Sequence, residues 1–146
     1  MKNIIQDNGD FGSYYPNKST FPLQILRVLG LGRGFVKKML IKAWYSFGYS
    51  IVDSKIRGIK YRLNIRQNTT DGKILVSSKK YDAIELSYLK NICTKRPNST
   101  FIDIGANTGY YSLNLAKSGV KKILSIEPNP EAAEILKQNI KFNEFN

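Results

Sequence analysis

Phe101-Ile102-Asp103-Ile104-Gly105-Ala106-Asn107-Thr108-Gly109-Tyr110-Tyr111-Ser112 is the stretch whose reading decides the fold. A short apolar run ends at a turn bracketed by two glycines, after which Tyr111, Leu115 and Ala116 recur with helical spacing, so the order is strand, tight turn, helix. Gly119 supplies a helix stop, Ile123 to Ile126 reads as a buried parallel strand, and Glu127 stands at its carboxyl end. Asn129 is a good N-cap for a second helix, Pro130 suits its first position, and Glu131 and Glu134 favour the positive end of its dipole. Ala133, Leu136 and Ile140 fall along one face of that helix. The order β-α-β-α predicts an α/β fold of the doubly wound type, whose ligands bind at the carboxyl ends of the strands.

The turn needs glycine where backbone must approach a ligand closely or adopt positive φ, which Gly105 and Gly109 tolerate and Asn107 accepts at modest cost. Glu127 follows Gly105 by 22 residues. That is where a Rossmann-type site places the carboxylate that bonds a ribose diol, so the two features together describe a nucleoside site. The loop is G-x-x-x-G with Asn107 in the middle and not the G-x-G-x-x-G that brings pyrophosphate to the backbone, which weakens a dinucleotide reading. S-adenosylmethionine carries an amino group and no phosphate, and Asp103 could attract that positive charge directly or through water. The plainer alternative makes Asp103 a turn-capping carboxylate and Glu127 a surface charge.

Upstream, Asp82 with Glu85 three residues on suggests a capping box, opening a helix whose apolar face is Ile84, Tyr88, Leu89 and Ile92. Cys93 near its end reads as a small buried apolar side chain. Between 51 and 76, Ile56, Ile59, Tyr61, Leu63 and Ile65 alternate with Lys60, Arg62 and Asn64, and Gly58 and Asp71-Gly72 supply the turns. The expectation is an antiparallel hairpin from about 55–66 and 73–77. Two short helices over 22–31 and 35–47 are separated by Gly30, Gly32 and Gly34, and residues 1–21 have no apolar period.

The chain has 146 residues and a net charge of +12. Residues 1–100 hold 18 of the 23 Lys/Arg and 6 of the 11 Asp/Glu, so the whole excess lies in that part. Such a surface suits nucleic acid, anionic lipid or an acidic substrate, or is simply solvated. The helix over 35–47, with Lys37, Lys38 and Lys42 on its polar side, could touch a membrane surface, though internal packing of its apolar face is the expectation. The sequence has no histidine and a single cysteine, which removes histidine-based catalysis, zinc sites and an internal disulfide; no metal is expected. No stretch reaches the roughly 18 apolar residues of a membrane span and no secretory signal is visible, so a cytoplasmic location is expected.

Residues 101–112 and Ile126-Glu127-Pro128-Asn129-Pro130 resemble the first two motifs of the FkbM family of class I methyltransferases. A looser likeness runs upstream through 58–64 and the helix carrying Glu85. The resemblance implies an S-adenosylmethionine-dependent O-methyltransferase acting on a hydroxyl of a glycan or secondary metabolite, with a small-molecule or glycan acceptor and nucleic acid not expected as a partner. It implies that Asp103, Gly105, Ala106, Asn107 and Gly109 hold the methionine end of the cofactor and that Glu127 binds the ribose hydroxyls, while Glu85 could sit near the same cleft. Family members carry a later Lys-x-Asp-x-Glu-Gly-type motif, which has no counterpart here, so no catalytic residue is assigned. The chain is thus expected to hold a basic helical extension (1–50), a hairpin and helix (51–100), and the first βαβα unit of a Rossmann-like methyltransferase sheet (101–146). That sheet is expected to be incomplete, and the chain inactive by itself. Two other readings stay open: an RNA methyltransferase, suggested by the basic N-terminal part, and a cofactor-binding module without catalysis.

Overall fold

The computed structural model describes residues 9–14, 35, 39, 42, 50–77 and 81–145. The architecture is α/β: β1 (Ile51–Ile56), β2 (Ile59–Asn64), α1 (Thr69–Ser77), α2 (Ala83–Thr94), β3 (Phe101–Ile104), α3 (Tyr110–Lys117), β4 (Ile123–Ile126) and α4 (Pro130–Phe142). The chain divides into two compact units, 11–81 and 82–146 with 1–10. The helices expected over 22–31 and 35–47, with their glycine break, lie outside the described residues except for Phe35, Met39 and Lys42, which are helical.

The first unit is organised by the antiparallel β1–β2 pair, with Ile56 opposite Ile59. The turn is Arg57-Gly58, both with positive φ (53° and 77°), as a two-residue turn matched to strand twist requires. The turn expected at Gly58 is thus present, whereas the expected pairing of 55–66 with 73–77 is not. Asp71-Gly72 is no turn, and 73–77 is no strand, because Asn68 caps α1 by accepting from the Thr70 N–H at 3.0 Å. The buried Asp71 carboxylate accepts from the Asn64 N–H at 2.7 Å and so closes the end of β2 against that helix. The run Ile74-Leu75-Val76 has a strand-like composition, yet it is helical and all three side chains are buried.

On one face of the hairpin Val52, Ile56, Ile59, Tyr61 and Leu63 form a core. The other face carries the Asp53–Arg62 cross-strand pair, and it is covered rather than solvated. Arg62 Nε and Nη2 donate to Asp53 at 2.8 and 3.0 Å, with both side chains fully buried. The segment 11–14 completes this cluster: the Gly12 and Tyr14 N–H groups donate to Asp53 Oδ2 at 2.7 and 3.4 Å, and the Tyr14 ring lies 4.7 Å from the Arg62 guanidinium. A stretch without apolar period is thus docked by satisfying a buried carboxylate.

In the second unit β3 and β4 pair in parallel, Phe101 opposite Ile123 and Ile104 opposite Ile126. Asn129 caps α4 by accepting from the Glu131 and Ala132 N–H groups, with Pro130 at the first position. Gly119, at φ 94°, ends α3. β4 is not buried on both faces: Ile102, Ile104, Leu124 and Ile126 share an open face, Ile104 at 80% exposure. Asp82 does not form the expected capping box. At φ 41° it makes no side-chain cap, and its carboxylate accepts instead from the Tyr111 hydroxyl at 2.7 Å. α2 buries Leu86, not the expected Ile84 and Tyr88, which are 83% and 65% exposed, and Cys93 is only half-buried.

Candidate functional site

The site forms where the β3–α3 loop meets the end of β4. The Gly105 and Ala106 N–H groups both donate to the Ile126 carbonyl, at 2.8 and 3.1 Å, which clamps the loop to the neighbouring strand. Asn107, at φ 53°, then turns its N–H onto Glu127 Oε2 at 2.8 Å, while Glu127 Oε1 accepts from the Asn129 N–H at 2.8 Å. The two residues, 20 apart in sequence, are joined by this bond. Two backbone donors hold the Glu127 carboxylate in one orientation, and each oxygen keeps a lone pair for a ligand hydroxyl.

The six candidate residues separate by exposure. Gly105 is exposed, and a Cβ built on it would meet nothing within 4 Å, so open space lies above the backbone where a ligand would approach. Asn107 and Glu127 are half-buried on the same rim. Asp103, Ala106 and Gly109 are buried. Asp103 Oδ2 accepts from the Ser112 hydroxyl at 2.5 Å and from the Ser112 N–H at 3.2 Å, tying β3 to the first turn of α3, and Ser112 in turn reaches Ser125 on β4 at 2.7 Å. Gly109 sits at φ 94°, where an L side chain is strained, and a Cβ there would stand 2.5 Å from the Leu136 Cδ1 methyl of α4, which would have to shift. Glu85 is exposed.

Sequence reasoning missed Asn139, which is fully buried on α4 and donates from Nδ2 to the Thr108 carbonyl at 2.9 Å. It holds the loop from behind. Its signal was a polar residue beside Ile135 and Leu136 on the buried side of α4. Among the described residues no helix is long and apolar enough to cross a membrane.

Residues 89–146 match the family model of the TRM5/TYW2 methyltransferase domain. A putative protein N5-glutamine methyltransferase of Methanocaldococcus jannaschii is 40% identical over 58 residues, which is 40% of this chain and 29% of that protein. The chain therefore spans less than a third of this curated relative's length. No solved structure gives a match. The matched region is of methyltransferase type, and S-adenosylmethionine is the cofactor of that type. The FkbM resemblance is overturned by these matches, and with it go the glycan acceptor and the exclusion of nucleic acid. The motifs that suggested that family describe the cofactor loop, which enzymes with different acceptors share; acceptor chemistry is encoded elsewhere.

Proposed function

We propose that the chain carries the cofactor-binding half of a Rossmann-like methyltransferase whose acceptor is RNA, with a nitrogen as the methylated atom. The observation that carries the cofactor reading is the Asn107–Glu127 contact, which presents a fixed carboxylate beside an open glycine turn at the carboxyl ends of two parallel strands. In this reading Glu127 binds the ribose diol, Gly105 and Asn107 offer backbone at close range, and Ala106 and Gly109 shape the turn from beneath. Asp103 is a positioning residue that holds the loop's exit through Ser112. When bound, S-adenosylmethionine would supply an electrophilic methyl: the new N–C bond to the acceptor nitrogen would form as the C–S bond breaks, leaving the neutral thioether, with the nitrogen's proton passing to solvent.

The TRM5/TYW2 match and the surplus of cations favour RNA as the acceptor. The second reading is a protein side-chain amide, favoured by the 40% identical relative. Mass spectrometry of RNA and protein from cells lacking the gene decides between them. Loss of one methylated base is expected. Unchanged RNA together with loss of a methylated glutamine would replace the first reading by the second.

A further inference from the structure

The end of α2, the segment leading into β3 and the segment before β4 frame a cleft of about 310 Å³, at the opposite end of the strands from Gly105 and Glu127. Its wall is mostly apolar, with Ile92, Pro97, Val120 and the half-buried Phe101, and it carries the cations Arg96 and Lys121. Lys95 and Lys122 adjoin it in sequence, and all four cations are exposed. None of the four forms an ion pair among the described residues. Between Glu85 and Glu127 the chain holds six Lys/Arg and one acid, Asp103, which is buried and engaged by Ser112.

Cations at helix C-termini are favoured by the helix dipole, and that accounts for Lys95 and Arg96 at the end of α2. It does not account for Lys121 and Lys122. They lie beyond the Gly119 stop, and the dipole's effect fades within the last turn. Arg96 and Lys121 on the wall of the concavity, with Lys95 and Lys122 next to them in sequence, suit an anionic ligand. The concave shape and aromatic lining suit a strand that can insert a base, whereas a bilayer surface would be met by a flat or protruding apolar face.

We propose that this cleft binds a single-stranded segment of RNA, with phosphates on Arg96 and Lys121 and one base against Phe101. The inference rests on the RNA reading above and adds a second contact region. β3 is four residues long, so its two ends are about 10 Å apart and one RNA molecule can reach both.

The test is fluorescence-anisotropy titration of a labelled single-stranded oligoribonucleotide of about ten nucleotides, matched to the usual site sizes, into the full chain over a range of salt. The Arg96→Glu/Lys121→Glu double variant is expected to bind at least roughly tenfold more weakly. Its plot of log affinity against log salt should be shallower by about 1.4, at roughly 0.7 for each phosphate no longer neutralised. Lys137→Glu on α4, where Lys137 faces Glu134, should leave both quantities unchanged. Phe101→Leu, which keeps apolar volume without a ring, should weaken binding and leave the salt slope intact. Circular dichroism and titration with S-adenosylhomocysteine verify that each variant is folded. Equal RNA affinity in wild type and the double variant, no RNA binding by either, or binding to phosphatidylserine vesicles in place of RNA would each overturn the proposal. RNA binding at the cleft in a protein that methylates only protein would leave the cleft standing and remove the acceptor reading.

Discussion

The two strand pairs of this molecule solve burial in opposite ways. β1 and β2 are joined by a two-residue turn and covered on both faces, by an apolar core on one side and by the Asp53–Arg62 pair capped with 11–14 on the other. β3 and β4 are joined through a helix, and they bury the side bearing Asp103 and Ser125 while Ile102, Ile104, Leu124 and Ile126 stay open. The first pair spends its polar residues on stability. The second keeps its loop end free for a ligand, so its glycines and carboxylates are held by backbone and leave surface available.

The largest effect should come from the hairpin unit. Arg62→Ala leaves Asp53 buried without its countercharge and is expected to cost about 3–5 kcal/mol in chemical denaturation, because an unpaired buried charge is far worse than no pair. Asp53→Leu/Arg62→Met should recover much of that stability. A single Arg62→Ala variant as stable as wild type would show that the pair is not the organising element.

Within the second unit, Gly109→Ala should destabilise by about 2–4 kcal/mol, since it adds strain at φ 94° to an overlap with Leu136. Gly105→Ala, at φ 77° with open space around it, should cost only about 1–2 kcal/mol, with its main effect on S-adenosylhomocysteine affinity. Equal melting shifts for the two would contradict the division between a packing glycine and a ligand-facing one.

Glu127→Ala is expected to weaken S-adenosylhomocysteine binding by about 1.5–3 kcal/mol in calorimetric titration, the worth of a charge-assisted hydrogen bond. The exposed Glu85→Ala should change it little. Unaltered affinity in the Glu127 variant would remove the ribose assignment.

The smallest effect on stability should be that of Ile104→Lys, at 80% exposure within about 0.5 kcal/mol of wild type. Its readout is association. Sedimentation velocity on the 146-residue polypeptide should show concentration-dependent self-association that this variant reduces, because an open apolar sheet face invites contact.

Local chemistry was enough to read β3, α3, β4 and α4 from the sequence: Gly119 to stop a helix, Asn129-Pro130 to start one, and short apolar runs between. It also brought Gly105 and Glu127 into one hypothesis, because a turn that requires glycine and a carboxylate one strand later are both constrained by the same ligand geometry. Three things were decided only in three dimensions. Ile74-Leu75-Val76 became a helix, since Asn68 caps it and Asp71 satisfies the end of β2, and propensity yields to such tertiary bonds. Residues 11–14, featureless by period, are held by a carboxylate 39 to 41 positions away. Gly109 and Asn139 acquire their roles from α4 packing behind the loop, an arrangement that no spacing encodes because it depends on where two helices meet.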